Sequence, residues 1–253
     1  MIELEMRTLA GQQILHAYPK GCSEKALPSI VFYHGFTSSN VVYSYFAVAL
    51  AQAGFRVVMP NAAEHGERFN GDGAERLQHF WQILVQNFTE FPTLRDALLA
   101  SGLVSDGRLA VAGASMGGMT ALGLMAQHPE LKCVASLMGS GYFTSLSQTL
   151  YPPSAANSIE KARLLAPLAK WDIGHQLARL ADRPLLLWHG EEDDVVPAGE
   201  TFRLQQALRE SGLDERLTCV WQAGVRHRIT PEALDSTVAF FRQHLSTRMT
   251  FTP

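Results

Sequence analysis

The sequence predicts an α/β fold, with a mostly parallel central sheet flanked by helices. Three observations carry this. Short apolar runs rich in Val, Leu and Ile recur along the chain, each flanked by Gly or Pro. They are near-continuous rather than alternating, as expected of strands buried on both faces. Segments with helical spacing lie between them, which is the pattern of a parallel sheet with crossover helices. With 253 residues and 47% hydrophobic composition, the chain can bury a sizeable core in one domain.

Residues 2–17 are expected to form an antiparallel edge hairpin. The run LPSIVFYHG (27–35) reads as the first buried strand and ends in a glycine turn. A helical pattern from Tyr45 stops at Gly54, and FRVVMP (55–60) follows as a strand. RLAVAG (108–113), CVASLMG (133–139), PLLLWHG (184–190) and LTCVWQ (217–222) complete the strands. Helices are expected over about 77–101, 117–128, 198–211 and 231–246. Two stretches exceed a simple crossover: the aromatic 67–92 and the longer 145–180, broken by Pro152-Pro153. Segments of that size inside a domain are usually functional, so a small lid or cap is expected over residues 144–182.

Composition removes several function classes. Charged residues make up 18%, the formal net charge is -3, and Lys and Arg form no run. Nothing favours nucleic acid. The N-terminus lacks the pattern of a secretory signal. The apolar stretch VVYSYFAVALAQAGFRVVMP is broken by Gln52, Gly54 and Arg56, so no membrane span is expected. Three widely spaced cysteines, Cys22, Cys133 and Cys219, read as free thiols in a reducing cytoplasm. No histidine pair has metal-protease spacing on a helix. Neither a metal nor an organic cofactor is expected. Oligomeric state is not legible.

The most specific feature is G-A-S-M-G, Gly113 to Gly117, between a strand and a helix. A sharp strand-to-helix turn strains its central residue and crowds the positions two away on either side. Glycine at 113 and 117 relieves that crowding and exposes the Ser115 hydroxyl above the sheet. The N–H of Met116, at the helix start, is then free to donate to a developing oxyanion.

A serine nucleophile needs a base, and the base needs an acid to orient it. In this kind of sheet the chain order is Ser, acid, His. Of nine histidines, only His227 and His244 lie beyond the acidic loop EEDDVVP. His244 sits in the terminal helical pattern. His227 lies in a loop between the last strand and a helix opened by Thr230-Pro231, where a base belongs. The acid lies among Glu191, Glu192, Asp193 and Asp194, and residue chemistry alone does not choose.

The elements and motifs together resemble the α/β-hydrolase family over roughly residues 15–246. HG-x-x-D-x-x-V-P, matched by His189, Gly190, Asp193, Val196 and Pro197, is similar to that family's acid loop. The resemblance assigns the acid to Asp193, with Asp194 as second choice. FYHGFTSS (32–39) is similar to the family's HG turn, which implies that the N–H of Phe36 is the second oxyanion donor. Gly35 then lets the backbone approach the acyl oxygen, while His34 braces the loop. The HGGG turn of some lipases is absent. The likeness extends to bacterial carboxylesterases of this fold. It implies hydrolysis of small acyl esters of short chain through Ser115, His227 and Asp193. A thioesterase, amidase or small peptidase would use the same triad. A non-catalytic binding scaffold is the remaining alternative, and such scaffolds usually show a broken triad. Most aromatics, among them Trp81, Phe88, Tyr142, Phe143 and Trp171, are expected in the core. An apolar acyl pocket roofed from residues 142–180 is expected beside the serine.

Overall fold

Eight strands form one sheet in the computed structural model, which describes residues 1–246. β1 (Ile2–Leu9) and β2 (Gln12–Pro19) make the antiparallel edge hairpin, in register from Ile2 opposite Pro19 to Leu9 opposite Gln12. β3 (Leu27–Tyr33) leads through the loop at residue 36 to α1 (Ser44–Gln52) and β4 (Arg56–Pro60). α2 (Gly73–Gln78) and the 21-residue α3 (Phe80–Ala100) follow. The single helix expected over 77–101 is therefore two, broken at His79. Asp72 accepts from the N–H of Glu75 and starts α2 before the expected boundary.

β5 (Val104–Ala114), α4 (Met116–Gln127) and β6 (Val134–Leu137) form the central crossover. The long stretch after β6 contains α5 (Phe143–Leu146), α6 (Ser158–Leu165) and three short 3-10 turns between 166 and 180. β7 (Leu185–Gly190), α7 (Ala198–Glu210), β8 (Leu217–Gln222) and α8 (Pro231–His244) end the fold.

The sheet order is β1-β2-β4-β3-β5-β6-β7-β8. β2 joins β4 antiparallel, and all pairs from β4 to β8 are parallel. Successive strand residues divide between two cores. Val31, Tyr33, Val111, Leu185 and Leu187 face α3, α4 and α7. Ile30, Phe32, Ala112, Leu186 and Trp188 face α1 and α8. Both faces are dry, which is why these strands read as unbroken apolar runs. α4 is buried on every side, from Met116 to Ala126.

The chain leaves β3 for β4 on one side of the sheet and returns to β5 on the other. The loops after β3 and β5 therefore diverge and open a crevice at the carboxyl ends of the strands, where ligands bind in open α/β sheets. Of the cysteines, Cys133 is buried; Cys22, in the turn after β2, is partly exposed, and so is Cys219, because β8 is an edge strand with only β7 beside it. Among the described residues, no helix is long and apolar enough to cross a membrane.

Candidate active site

Ser115 sits between β5 and α4 with φ 58° and ψ -118°, outside the regions a side chain normally allows. The turn is held from both ends. Ser115 N–H donates to the carbonyl of Leu137 at 2.8 Å, and its own carbonyl accepts from Met119 at 2.9 Å. The flanking glycines have a steric cause. A Cβ on Gly113 would lie 2.2 Å from the Gly117 oxygen, and one on Gly117 would lie 1.9 Å from the Tyr33 oxygen. Neither backbone can yield without parting α4 from the sheet.

His227 Nε2 lies 2.8 Å from Ser115 Oγ, and its Nδ1 lies 2.7 Å from Asp193 Oδ2. The three residues come from the carboxyl ends of β5, β7 and β8. Thr230 helps to fix the His227 loop: its hydroxyl caps α8 at Ala233 and bonds Gln222 on β8. Asp193 carries the deeper support. Its Oδ1 accepts from the N–H groups of Val195 and Val196, both at 3.0 Å. Its Oδ2 also lies 3.2 Å from His189 Nε2. Burial alone would raise this carboxyl, but the hydrogen bonds from His189 and His227 outweigh it and hold the group well below the usual carboxylate range. Asp194 faces solvent and pairs with Arg226. The loop thus separates the two adjacent acids by partner: one holds an imidazole, the other an exposed guanidinium.

Two histidines brace the loop after β3. His34 Nδ1 donates to the Gly35 carbonyl at 2.7 Å, and its Nε2 accepts from Ala62 N–H at 3.1 Å. His65 Nδ1 donates to the Ala63 carbonyl at 2.7 Å, and its Nε2 accepts from Thr37 N–H at 2.9 Å. Each ring therefore needs the neutral Nδ1–H tautomer. Burial pushes His34 down to about 4 and lowers His65 as well. Phe36 lies between these two braces. Its N–H and that of Met116 donate to no described residue, so both are available to an oxygen held beside Ser115.

Two cavities meet at Ser115 and His227, with Phe36 lining both. One, about 280 Å³, opens past Gly35, Tyr43 and Tyr45. The other, about 220 Å³, is more enclosed and is lined by Phe80, Leu150 and Tyr151. Trp81, Phe88, Tyr142, Phe143 and Trp171 are core residues. The part of the long stretch that lines either of these two cavities is Leu150-Tyr151, not its other aromatics. Among the described residues, no group of three or more His, Cys, Asp or Glu side chains could hold a metal ion.

The candidate site residues lie at the crevice: Ser115, Asp193 and His227 in contact, Phe36 and Met116 with free N–H groups, and Gly35, Gly113 and Gly117 in the turns. In the sequence His189 stands out only as part of a motif, and His65 hardly at all. Its one signal is a histidine five positions past the carboxyl end of β4.

The comparisons agree with this architecture. The chain is 62% identical over 249 residues to Esterase YjfP of Escherichia coli (strain K12), covering 97% of this chain and all of that protein. TT1662 from Thermus thermophilus has the same fold, with a TM-score of 0.79 at 23% identity over 98% of this chain and all of the other. A puromycin-hydrolyzing peptidase of Mycobacterium tuberculosis superposes at a TM-score of 0.72 and 21% identity, over 96% of this chain but 39% of the peptidase. The prolyl oligopeptidase family matches residues 41–248. By that match and by the near full-length relative, this chain belongs to the prolyl oligopeptidase family of α/β-hydrolases.

Proposed function

We propose that the chain is a serine carboxylesterase acting on small esters with short acyl chains. The observation that carries this reading is the continuous hydrogen-bonded path Ser115–His227–Asp193 at the floor of the crevice. The likeness to an esterase over the whole chain supports it.

In this mechanism Ser115 Oγ attacks the ester carbonyl carbon as His227 Nε2 takes its proton. Asp193 keeps the Nδ1–H tautomer and stabilises the imidazolium. The N–H groups of Phe36 and Met116 hold the oxyanion of the tetrahedral intermediate. The carbon–oxygen bond to the alcohol breaks as His227 returns its proton to that oxygen. Water then attacks the acyl-enzyme with His227 as base, releasing the carboxylic acid and restoring Ser115. No step uses a group from outside the chain other than ester and water. The chain acts as one catalytic domain, with residues 144–182 as a small cap that supplies Leu150 and Tyr151. The free thiols agree with a reducing, cytoplasmic setting.

The family name makes amide hydrolysis the second reading. The enclosed cavity is lined by the apolar groups of Phe80, Leu150, Tyr151, Val195 and Val196, which suits an apolar acyl group, while Arg228 borders the open one. The test is hydrolysis of p-nitrophenyl esters by the purified protein and by Ser115→Ala, beside a matched thioester and anilide. Ester turnover that Ser115→Ala abolishes supports the proposal. Anilide turnover by the wild type that Ser115→Ala also abolishes would replace it with a peptidase.

A further inference from the structure

The two cavities at Ser115 differ in kind. The enclosed one is walled by Phe36, Phe80, Leu150, Tyr151, Val195 and Val196. The open one is bordered by Val42, Tyr43, Tyr45, Arg228 and Ile229, and its rim residue Val42 is 62% exposed. An ester hydrolysed through an acyl-enzyme has two halves with different fates. The acyl half stays on the serine until water releases it. The alcohol half must leave first, and water must reach the carbonyl along the path it vacates. An enclosed apolar space suits the half that stays, and a space open to solvent suits the half that leaves.

On the esterase reading, we propose that the enclosed cavity holds the acyl chain, that Tyr151 is its end wall and sets the chain-length limit, and that the open cavity takes the alcohol. Tyr151 is fixed rather than draped. Trp81 Nε1 donates to the Leu150 carbonyl at 2.9 Å. The Tyr151 backbone is turned to φ 43° immediately before Pro152-Pro153. Its ring packs 4.9 Å from Phe80 and 5.3 Å from Phe36, centroid to centroid. The cavity's roughly 220 Å³ holds on the order of seven groups the size of a water molecule, at ~30 Å³ each. With the carbonyl carbon held at Ser115, straight acyl chains up to about eight carbons therefore fit, and longer ones must displace the Tyr151 ring.

The experiment uses two substrate series with wild type, Tyr151→Ala and Tyr151→Trp. In one, p-nitrophenyl esters run from acetyl to dodecanoyl. In the other, the acyl group stays acetyl and the alcohol grows from methyl to naphthyl. We expect wild-type kcat/KM to fall beyond about eight acyl carbons. Tyr151→Ala should raise the decanoyl-to-butyryl ratio by about tenfold or more, the scale of a few buried methylenes. Tyr151→Trp should move that ratio down, and it keeps the test open should the alanine variant fold poorly. The ratio across the alcohol series should stay put. Movement of the alcohol ratio with a fixed acyl ratio would overturn the proposal by reversing the cavities. Ester turnover with neither ratio moved in a folded variant would overturn it alone. Absence of ester turnover by the wild type would overturn the esterase reading and the assignment that rests on it.

Discussion

His189 and His227 converge on a single oxygen: Asp193 Oδ2 lies 3.2 Å from His189 Nε2 and 2.7 Å from His227 Nδ1. His189 is fully buried, and its Nδ1 meets the Thr201 hydroxyl at 2.7 Å. The ring is therefore locked in place behind the acid. His189 Nε2 donates to the Val196 carbonyl at 2.9 Å and so braces the acid loop beside the carboxylate, and only His227 reaches the serine.

This arrangement ranks three substitutions. Asp193→Asn should lower kcat by roughly 10⁴, because the amide cannot hold the required His227 tautomer. His189→Ala should lower kcat by up to about a hundredfold with KM little changed, since it lets the acid loop shift and removes no substrate contact. Asp194→Asn should leave kcat near wild type. Steady-state kinetics on one ester checks all three, and a larger loss at 194 than at 193 would contradict the geometry.

The backbone of Ser115 predicts a stability effect opposite to its effect on rate. A side chain at φ 58° and ψ -118° is strained by roughly 1–3 kcal/mol. Ser115→Gly should recover about 1 kcal/mol of that and raise the thermal midpoint, while Ser115→Ala, which keeps Cβ, should not. Both should lose at least about 10³ in turnover. Thermal denaturation of the two variants decides; equal midpoints would mean the turn is relaxed.

The elbow glycines should be intolerant of even one carbon. Gly117→Ala would press its Cβ to 1.9 Å from the Tyr33 oxygen, which is backbone of a central strand. A loss of about 3 kcal/mol or more is expected, on the scale of severe overpacking. Urea denaturation measures it, and a loss under about 1 kcal/mol would show that α4 can lift from the sheet.

Acidification should weaken the fold before carboxylates titrate. His16 and His34 are each lowered to about 4 chiefly by burial, against about 6.5 in an unfolded chain. Between those values the unfolded state binds protons that the native state refuses. Stability is thus full above about 6.5 and falls as pH drops toward 4. For Asp193 the folded value is also depressed, so its contribution is lost only below the unfolded carboxylate value near 3.9. Urea midpoints from pH 7.5 to 4.5 test this. A flat profile would mean the histidines gain protons without opening the structure.

Sequence alone determined the parallel sheet, because strands covered on both faces leave unbroken apolar runs such as LLLW and LAVAG. It also determined where the serine turn lies, because glycines at 113 and 117 answer a steric demand local to five residues. Chain order singled out the loop that holds His227. Only the tertiary structure decided what those acids and histidines touch. Asp193 and Asp194 are chemically identical neighbours, and the backbone path after β7 sends one to His227 and the other to Arg226. His65 reaches the loop at Thr37 from 28 positions away, and Tyr151 meets Phe36 from 115 positions away. Such contacts are made by packing between distant segments, and they leave no period or spacing in the chain for a reader to find.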